Sequence, residues 1–408
     1  MLPLDCGADF DPAREEEFYA ALPALPAVVL IEPRAGALPR DAGAKQPEPY
    51  LLRTADLRRR LERLLREPPE PTKRLNLRTF AARVRYRLTG SAFEQLLAYY
   101  QHARAHFPRR CRDLARLRPP ALLKVNLANA YPRCYVTRRI VTDGGAYFGP
   151  FPSRKTADSF ASEFLNLFKI RRCQIKIRRD PSFPGCIYSE MKMCLAPCFA
   201  GCSKEEYDAE VVRVASFLES AGASYTGELE REREAASEAQ DFERAALVHR
   251  KIEKAAHVLR GLPELPRRIE ELDAVVLQPG AAENIIAVYP VRGGRIADPL
   301  LLDFAALAGQ PRSVEQLLRE HLESQVPAEN LSDVEGLRDH LSLLARWFYS
   351  KPRTGEIFFR EARSGSRTRQ GEWPYRRILR ACSRVLAPQA ALPFNSKEPK
   401  AGATDEPA

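Results

Sequence analysis

Five of the nine cysteines in this 408-residue chain fall within thirty positions: Cys173, Cys186, Cys194, Cys198 and Cys202. The first four are separated by twelve, seven and three intervening residues. Thiolates at such spacings can close on one tetrahedral metal ion or on an inorganic cluster. Ligand identity does not separate zinc from iron here, because both accept four thiolates. The bland alternative is a set of buried free thiols, the reading given to Cys6, Cys111, Cys134 and Cys382. Cys202 is a spare. His102 and His106 lie four apart on an expected helix, but they lack a carboxylate partner.

Lys plus Arg total 64 against 53 Asp plus Glu, a net charge of +11 and a pI near 9.3. That balance favours a polyanionic partner, with DNA the first candidate. Basic residues concentrate in three runs, Arg104 to Arg118, Lys169 to Arg179 and Arg376 to Arg384. Around the cysteines, Arg138, Arg139, Lys155, Arg171 and Arg172 are candidate phosphate contacts, and Tyr147 and Phe148 candidate stacking platforms. No apolar N-terminal run follows basic residues, and no window reaches the roughly 18 apolar residues of a membrane span. The expected location is the cytoplasm, with reduced or metal-bound cysteines and no membrane partner.

The elements that must position these residues follow from periodicity. Residues 1–20 read as an acidic, weakly patterned tail. Ala27 to Glu32 and Glu48 to Leu52 read as short strands, and Phe80 to Leu88 as a third. Between them Leu57, Leu61, Leu64 and Leu65 share one helical face, and Ser91-Ala92-Phe93-Glu94 is a capping box opening a helix to about His106. Leu122 to Leu127 and Arg133 to Ile140 read as strands, Asp143-Gly144-Gly145 as a turn, and Phe148 to Pro152 as a Pro/Gly corner. Phe160, Phe164, Leu165 and Phe168 share a side of the next helix. Ser203 caps another, and Gly227 to Leu262 reads as a helical hairpin. Ala274 to Phe304 reads as a β-meander, followed by helices at 313–322, 334–349 and 375–386.

Val136-Thr137-Arg138-Arg139, Asp143-Gly144-Gly145, Tyr147 to Ser153 and Cys194-Leu195-Ala196-Pro197-Cys198 together resemble the UvrC family, the nuclease subunit of bacterial excision repair. The resemblance extends more weakly over residues 22 to about 305. It implies an α+β multidomain protein: a GIY-YIG-like α/β domain at 21–115, a Cys-rich central α+β domain at 116–205, a helical segment with a UVR-type hairpin at 206–265, and a C-terminal α/β remnant of the RNase H-like half at 266–390; the polar, Pro/Lys/Glu-rich composition of the last residues makes 391–408 an expected disordered tail. It also implies iron–sulfur ligation by Cys173, Cys186, Cys194 and Cys198, with zinc the physical alternative. In the hairpin, Phe242, Glu243, Arg244, Ala245, Ala246 and Ile252 match the UVR motif, which docks on UvrB.

The first domain departs from its family. A GIY-YIG nuclease uses two tyrosines, an arginine and a glutamate that holds a divalent metal. Here Val29 occupies the first tyrosine position. Tyr50 keeps the second, Arg53 stands where lysine is usual, Arg60 matches the arginine, and Tyr99 falls in the register of the glutamate. Tyr50, Arg53 and Arg60 are therefore catalytic candidates of a vestigial site, and Mg²⁺ or Mn²⁺ is implied only if that site is active. The expectation is a UvrC-like DNA-binding repair protein with impaired or absent incision. Two alternatives stand beside it: a single-cut GIY-YIG endonuclease, and an interaction module that docks a UvrB-like partner without binding DNA.

Overall fold

The computed structural model describes residues 1–36, 47–68, 74–307, 311–324, 333–360 and 371–386. The predicted tail at 391–408 lies outside them.

The first unit is a four-stranded antiparallel sheet in the order β1-β4-β2-β3, built from β1 (Cys6–Asp9), β2 (Ala27–Pro33), β3 (Tyr50–Thr54) and β4 (Ala81–Leu88). β2 is apolar on both faces, so it needs a cover on each. On one side lie α1 (Glu15–Ala21) and α2 (Leu57–Leu65). Asp56 caps α2 by accepting the Arg59 N–H at 2.9 Å, and Leu57, Leu61, Leu64 and Leu65 are buried. Each such leucine contributes roughly 1.5–3 kcal/mol. On the other side lies α3 (Ala92–His106), capped by Ser91 and followed by the short α4 (Cys111–Ala115).

Residues 1–20 are not a tail. β1 pairs with β4 along its length, and Leu2, Leu4, Phe10, Phe18 and Tyr19 are buried. Cys6-Gly7-Ala8-Asp9 has little strand propensity of its own, so tertiary pairing decides its conformation.

The middle unit is a second antiparallel sheet in the order β6-β5-β7-β8: β5 (Ala121–Val125), β6 (Cys134–Thr137), β7 (Ala146–Phe151) and β8 (Arg267–Arg268). The Pro/Gly corner expected at 148–152 is instead part of a strand with every residue buried. Pro150 is tolerated because the β5 register shifts opposite it and β8 pairs only with Phe148 and Gly149. At Gly149 a Cβ would meet Leu122 Cδ2 at 2.4 Å, so a larger residue there would displace the buried Leu122 side chain. α5 (Arg154–Phe164) closes the sheet with a ladder of rings: Phe160, Phe164, Phe168, Phe217 and Tyr225. After the cysteine loop with its single-turn α6 (Ile187–Glu190) come α7 (Lys204–Glu219), α8 (Ala223–Glu238) and α9 (Phe242–Arg260). α8 and α9 form a hairpin whose turn places Gln240 at φ 58° and whose second helix is capped by Asp241.

The third unit is a sheet in the order β11-β10-β9-β13, with β12 also on β10: β9 (Ala274–Pro279), β10 (Ile285–Arg292), β11 (Arg295–Ile296), β12 (Leu300–Asp303) and β13 (Glu356–Phe359). Around it run α10 (Phe304–Leu307), α11 (Val314–Ser324), α12 (Val334–Phe348) and α13 (Tyr375–Leu386). α3 is shared between units. Its inner face covers the first sheet, and its outer face packs on β10 and α12 through Phe93, whose ring lies 5.1 Å from Tyr289 and 5.3 Å from Trp347. The carboxylate of Asp339 on α12 accepts from the Tyr100 hydroxyl at 2.9 Å and from Arg112 at 2.9 Å, tying α3 and α4 to the third unit.

Candidate functional site

Of the catalytic candidates of the first unit, Tyr50 and Arg53 both lie within electrostatic reach of Tyr99 on α3. Tyr50 packs with the core beneath α2, on which Arg60 is half-buried, and Val29 is fully buried in that core. Arg53 leaves the opposite face of β3 and lies over the ring of Tyr99 on α3, 5.9 Å from its centroid. Glu94, the one carboxylate of α3, is buried and committed: Oε1 accepts from Arg87 Nε at 3.0 Å and Oε2 from the Gly90 N–H at 3.0 Å. Burial raises its pKa, opposed by the Gly90 N–H and by Arg87. Asp273, after the hairpin, is likewise engaged by Arg292, Arg360 and the Gly293 N–H.

The charges of Arg116 and Arg346 reach Arg53. Arg346 on α12 donates to the Ala115 carbonyl at 3.2 Å, next to Arg116. Burial lowers the pKa of Arg53, and the charges of Arg346 and Arg116 lower it further. Nothing in the local sequence marks Arg346, because only the packing of α12 on α3 brings it to this place.

The cysteine loop is held from below by Arg171. Its side chain is nearly fully buried, Nε donates to the Tyr131 carbonyl at 2.7 Å, and Nη1 donates to the carbonyls of Cys173 at 3.1 Å and Ile175 at 3.0 Å. Cys173, Cys186, Cys194 and Cys198 are free thiols on this loop. Burial pushes the Cys194 thiol up to about 11, and Cys173, Cys198 and Cys186 add to the rise, so the four lie within electrostatic reach of one another. Among the described residues no three His, Cys, Asp or Glu side chains are grouped as ligands of one metal ion. The donor chemistry is nonetheless of the thiolate-binding kind. The Ala196 N–H points at Cys194 Sγ, 3.3 Å away, and left-handed turns at Gly185, Lys192, Ala196 and Ala200 fold the loop back on itself.

The predicted nucleic-acid residues divide. Arg138, Arg139 and Lys155 are exposed on one unit and form no ion pair among the described residues. Arg172 is half-buried, bonded to Asn166 and set over Tyr188. Tyr147 and Phe148 are buried at 3% and 2% exposure, so neither ring offers a face to a base. The Tyr147 hydroxyl is spent on Val141. Arg171 supports the loop instead of meeting solvent. Three of the six arginines of the basic run at 104–118 are matched internally, through Arg104–Asp333, Arg110–Glu48 and Arg112–Asp339.

On the hairpin, Val248, Ala255 and Val258 face inward, while Phe242 is 70% exposed and Leu247 54%. Glu243, Arg244 and Ala246 share that open surface, with Ala245 and Ile252 half-buried at its margin. Arg244 pairs with Glu232 across the hairpin at 3.2 Å.

A buried-strand middle unit with a cysteine loop is followed here by a two-helix hairpin with an open apolar edge. Residues 121–217 match the model of the UvrC/Cho excinuclease middle domain, and residues 224–255 match the UvrB/uvrC motif. Over these two segments the chain is similar to the UvrC family. It is 30% identical over 240 residues to the UvrABC system protein C of Carboxydothermus hydrogenoformans, covering 56% of this chain and 39% of that protein. The Moorella thermoacetica protein of the same name is 25% identical over 356 residues, covering 86% of this chain and 56% of the relative. That of Treponema denticola is 31% identical over 218 residues, covering 53% and 32%. The chain thus spans between about a third and just over half the length of these relatives. No solved structure matches the chain.

Proposed function

We propose that the protein is a DNA-binding relative of the excision-repair nucleases that grips DNA with its middle domain, docks a UvrB-like partner with its hairpin, and does not incise. The observation that carries the last clause is Tyr99 beneath Arg53. A tyrosine stands in the register of the metal-holding glutamate, and Glu94 is bound to Arg87 and Gly90. A phosphoryl-transfer site without a carboxylate to fix a divalent ion lacks its main source of charge stabilisation.

Cys173, Cys186, Cys194 and Cys198 would hold an iron–sulfur cluster or, with the same donors, a zinc ion. Such a group would supply a cross-link across a loop that has little regular structure, and electron transfer if it is iron–sulfur. This chain's own contribution is the seat: Arg171 fixes the backbone at Cys173, and the Ala196 N–H is placed to stabilise a thiolate at Cys194.

Arg138, Arg139 and Lys155 supply the phosphate contacts. Binding of the full chain to duplex DNA is expected to weaken steeply with salt. Replacing Arg138 and Arg139 together with alanine should reduce the slope of log K against log salt by about 1.8, at about 0.9 per lost phosphate contact. Binding that ignores both salt and these substitutions would refute the DNA reading in favour of a pure interaction module.

A further inference from the structure

We propose that the α6 turn of the cysteine loop presents Ile187 and Met191 as an apolar wedge that enters an unstacked step of duplex DNA. The inference rests on the reading that the middle unit grips DNA, and it names the feature of DNA that this unit selects. Ile187 is 63% exposed and Met191 61%. The Met191 N–H donates to the Ile187 carbonyl at 2.9 Å, which closes one helical turn and sets the two side chains side by side. The turn is held by its own short-range bonds. The Ser189 hydroxyl donates to the Cys186 carbonyl at 2.6 Å and accepts the Cys186 N–H at 3.0 Å. The Met193 N–H donates to the Tyr188 carbonyl at 2.9 Å, and Lys192, at φ 55°, leads the chain back to Cys194. Tyr188 between them is half-buried, with the Arg172 guanidinium over its ring at 5.9 Å. Scattered exposed apolar residues are ordinary, but these two adjoin on a turn whose shape is already set, so a partner can bury both at once.

Charge selects the partner. Residues 169–202 carry seven Lys or Arg against two Asp or Glu, a net charge of +5. Lys176, Arg178, Arg179 and Lys192 of this loop are exposed, and none forms an ion pair among the described residues. Such cations draw a polyanion to the loop. In a duplex the apolar material lies between the base pairs and the phosphates line its edge. The loop presents the same order, with aliphatic side chains on α6 and cations before and after it in the chain. Glu190, the one carboxylate of α6, is exposed and opposes a phosphate at the turn itself, which leaves the bases for Ile187 and Met191. Isoleucine and methionine are side chains that insert between base steps, and opening a step costs least where a base is missing or mispaired. The wedge therefore selects damaged over intact duplex.

The test uses the full chain, a duplex with a single abasic site flanked by 2-aminopurine, and the matched duplex of the same sequence, at one salt concentration. The wild type is expected to bind the abasic duplex on the order of tenfold more tightly and to raise the 2-aminopurine fluorescence as the wedge separates that base from its neighbour. Ile187→Ser combined with Met191→Ser should abolish the preference and the fluorescence rise while leaving the salt dependence of binding unchanged. Ile187→Leu combined with Met191→Leu should keep both. Arg138→Ala combined with Arg139→Ala should weaken binding to the two duplexes alike and keep the preference. A serine variant that retains the preference overturns the proposal. So does one with a lowered unfolding temperature or metal content, because the side chains would then pack within the loop. A serine variant that loses only its binding to a UvrB-like protein assigns the turn to a protein interface and also overturns it. Salt-dependent binding of the wild type without any preference overturns the wedge and leaves the DNA grip standing, whereas no binding to either duplex overturns both.

Discussion

Arg171 sits in a run of basic residues that reads as a DNA contact, yet the fold gives it another task, and the two roles predict opposite phenotypes. Its guanidinium is nearly fully buried and donates to three main-chain carbonyls, at 2.7, 3.1 and 3.0 Å, two of them in the segment that carries Cys173. Arg171→Met keeps the aliphatic stem and removes all three donors. A hydrogen bond to a charged group is worth about 1.5–3 kcal/mol, and a buried carbonyl left without a donor costs about 1–3 kcal/mol. Relief of the buried cation's own desolvation offsets part of this. Taking two of the three carbonyls as unrescued by water gives a net loss on the order of 3 kcal/mol. That corresponds to a fall of roughly 5–10 °C in the unfolding temperature of a domain this size. The assay is thermal and urea unfolding of the full chain, with metal and acid-labile sulfide measured on the same samples. Arg171→Met should be markedly less stable and should lose bound metal, while Arg139→Met, on an exposed side chain, should change stability by less than about 0.5 kcal/mol. If Arg171→Met unfolds like the wild type and only DNA binding suffers, the assignment of Arg171 to the loop is wrong.

Two further perturbations test other parts of the structure. Phe242→Asp on the open edge of the hairpin should weaken docking of a UvrB-like partner by about thirtyfold, the scale of an interface hot spot, with the unfolding temperature unchanged; co-sedimentation or surface binding would measure it, and a drop in stability would mean the ring packs internally. His340, whose Nδ1 accepts the Ile296 N–H at 2.9 Å, is held down to about 4, first by burial and then by Arg295 and Arg104. Because its folded pKa lies below the unfolded value, its contribution is complete above about pH 6.5 and is lost as pH falls toward 4. A fall from 6.5 to about 4 corresponds to about 3 kcal/mol. His340→Asn should flatten that part of the stability–pH curve, and an unchanged curve would place the titration elsewhere.

Local pattern was enough for the elements whose signal is local. α2 has its leucine stripe and Asp56 cap, α3 its Ser91 cap, α7 its capping box, and the hairpin its heptad-like spacing. It failed where pairing decides. β1 carries no strand-forming residues and exists because β4 has a free edge, and β7 reads as a turn because Gly149 and Pro150 obey a packing and register constraint set by β5. The same division holds for the sites. The cysteine series and Phe242 are visible as residue types at telling intervals. The burial of Tyr147, Phe148 and Arg171 is not, since aromatic and basic residues serve as readily inside a sheet or under a loop as on a DNA-binding surface. Arg346 could not be found from sequence at all, because its neighbours are set by the docking of α12 on α3.

The most direct test of the central claim is incision. Purified full-length protein, with its metal content established and a UvrB-like partner loaded on damaged duplex, is incubated with Mg²⁺ or Mn²⁺ and the strands are resolved on a denaturing gel. The account predicts retention of the duplex without a nick. Robust nicking that disappears in Tyr50→Phe would contradict it, because it would mean that the first unit still cuts despite Tyr99 beneath Arg53.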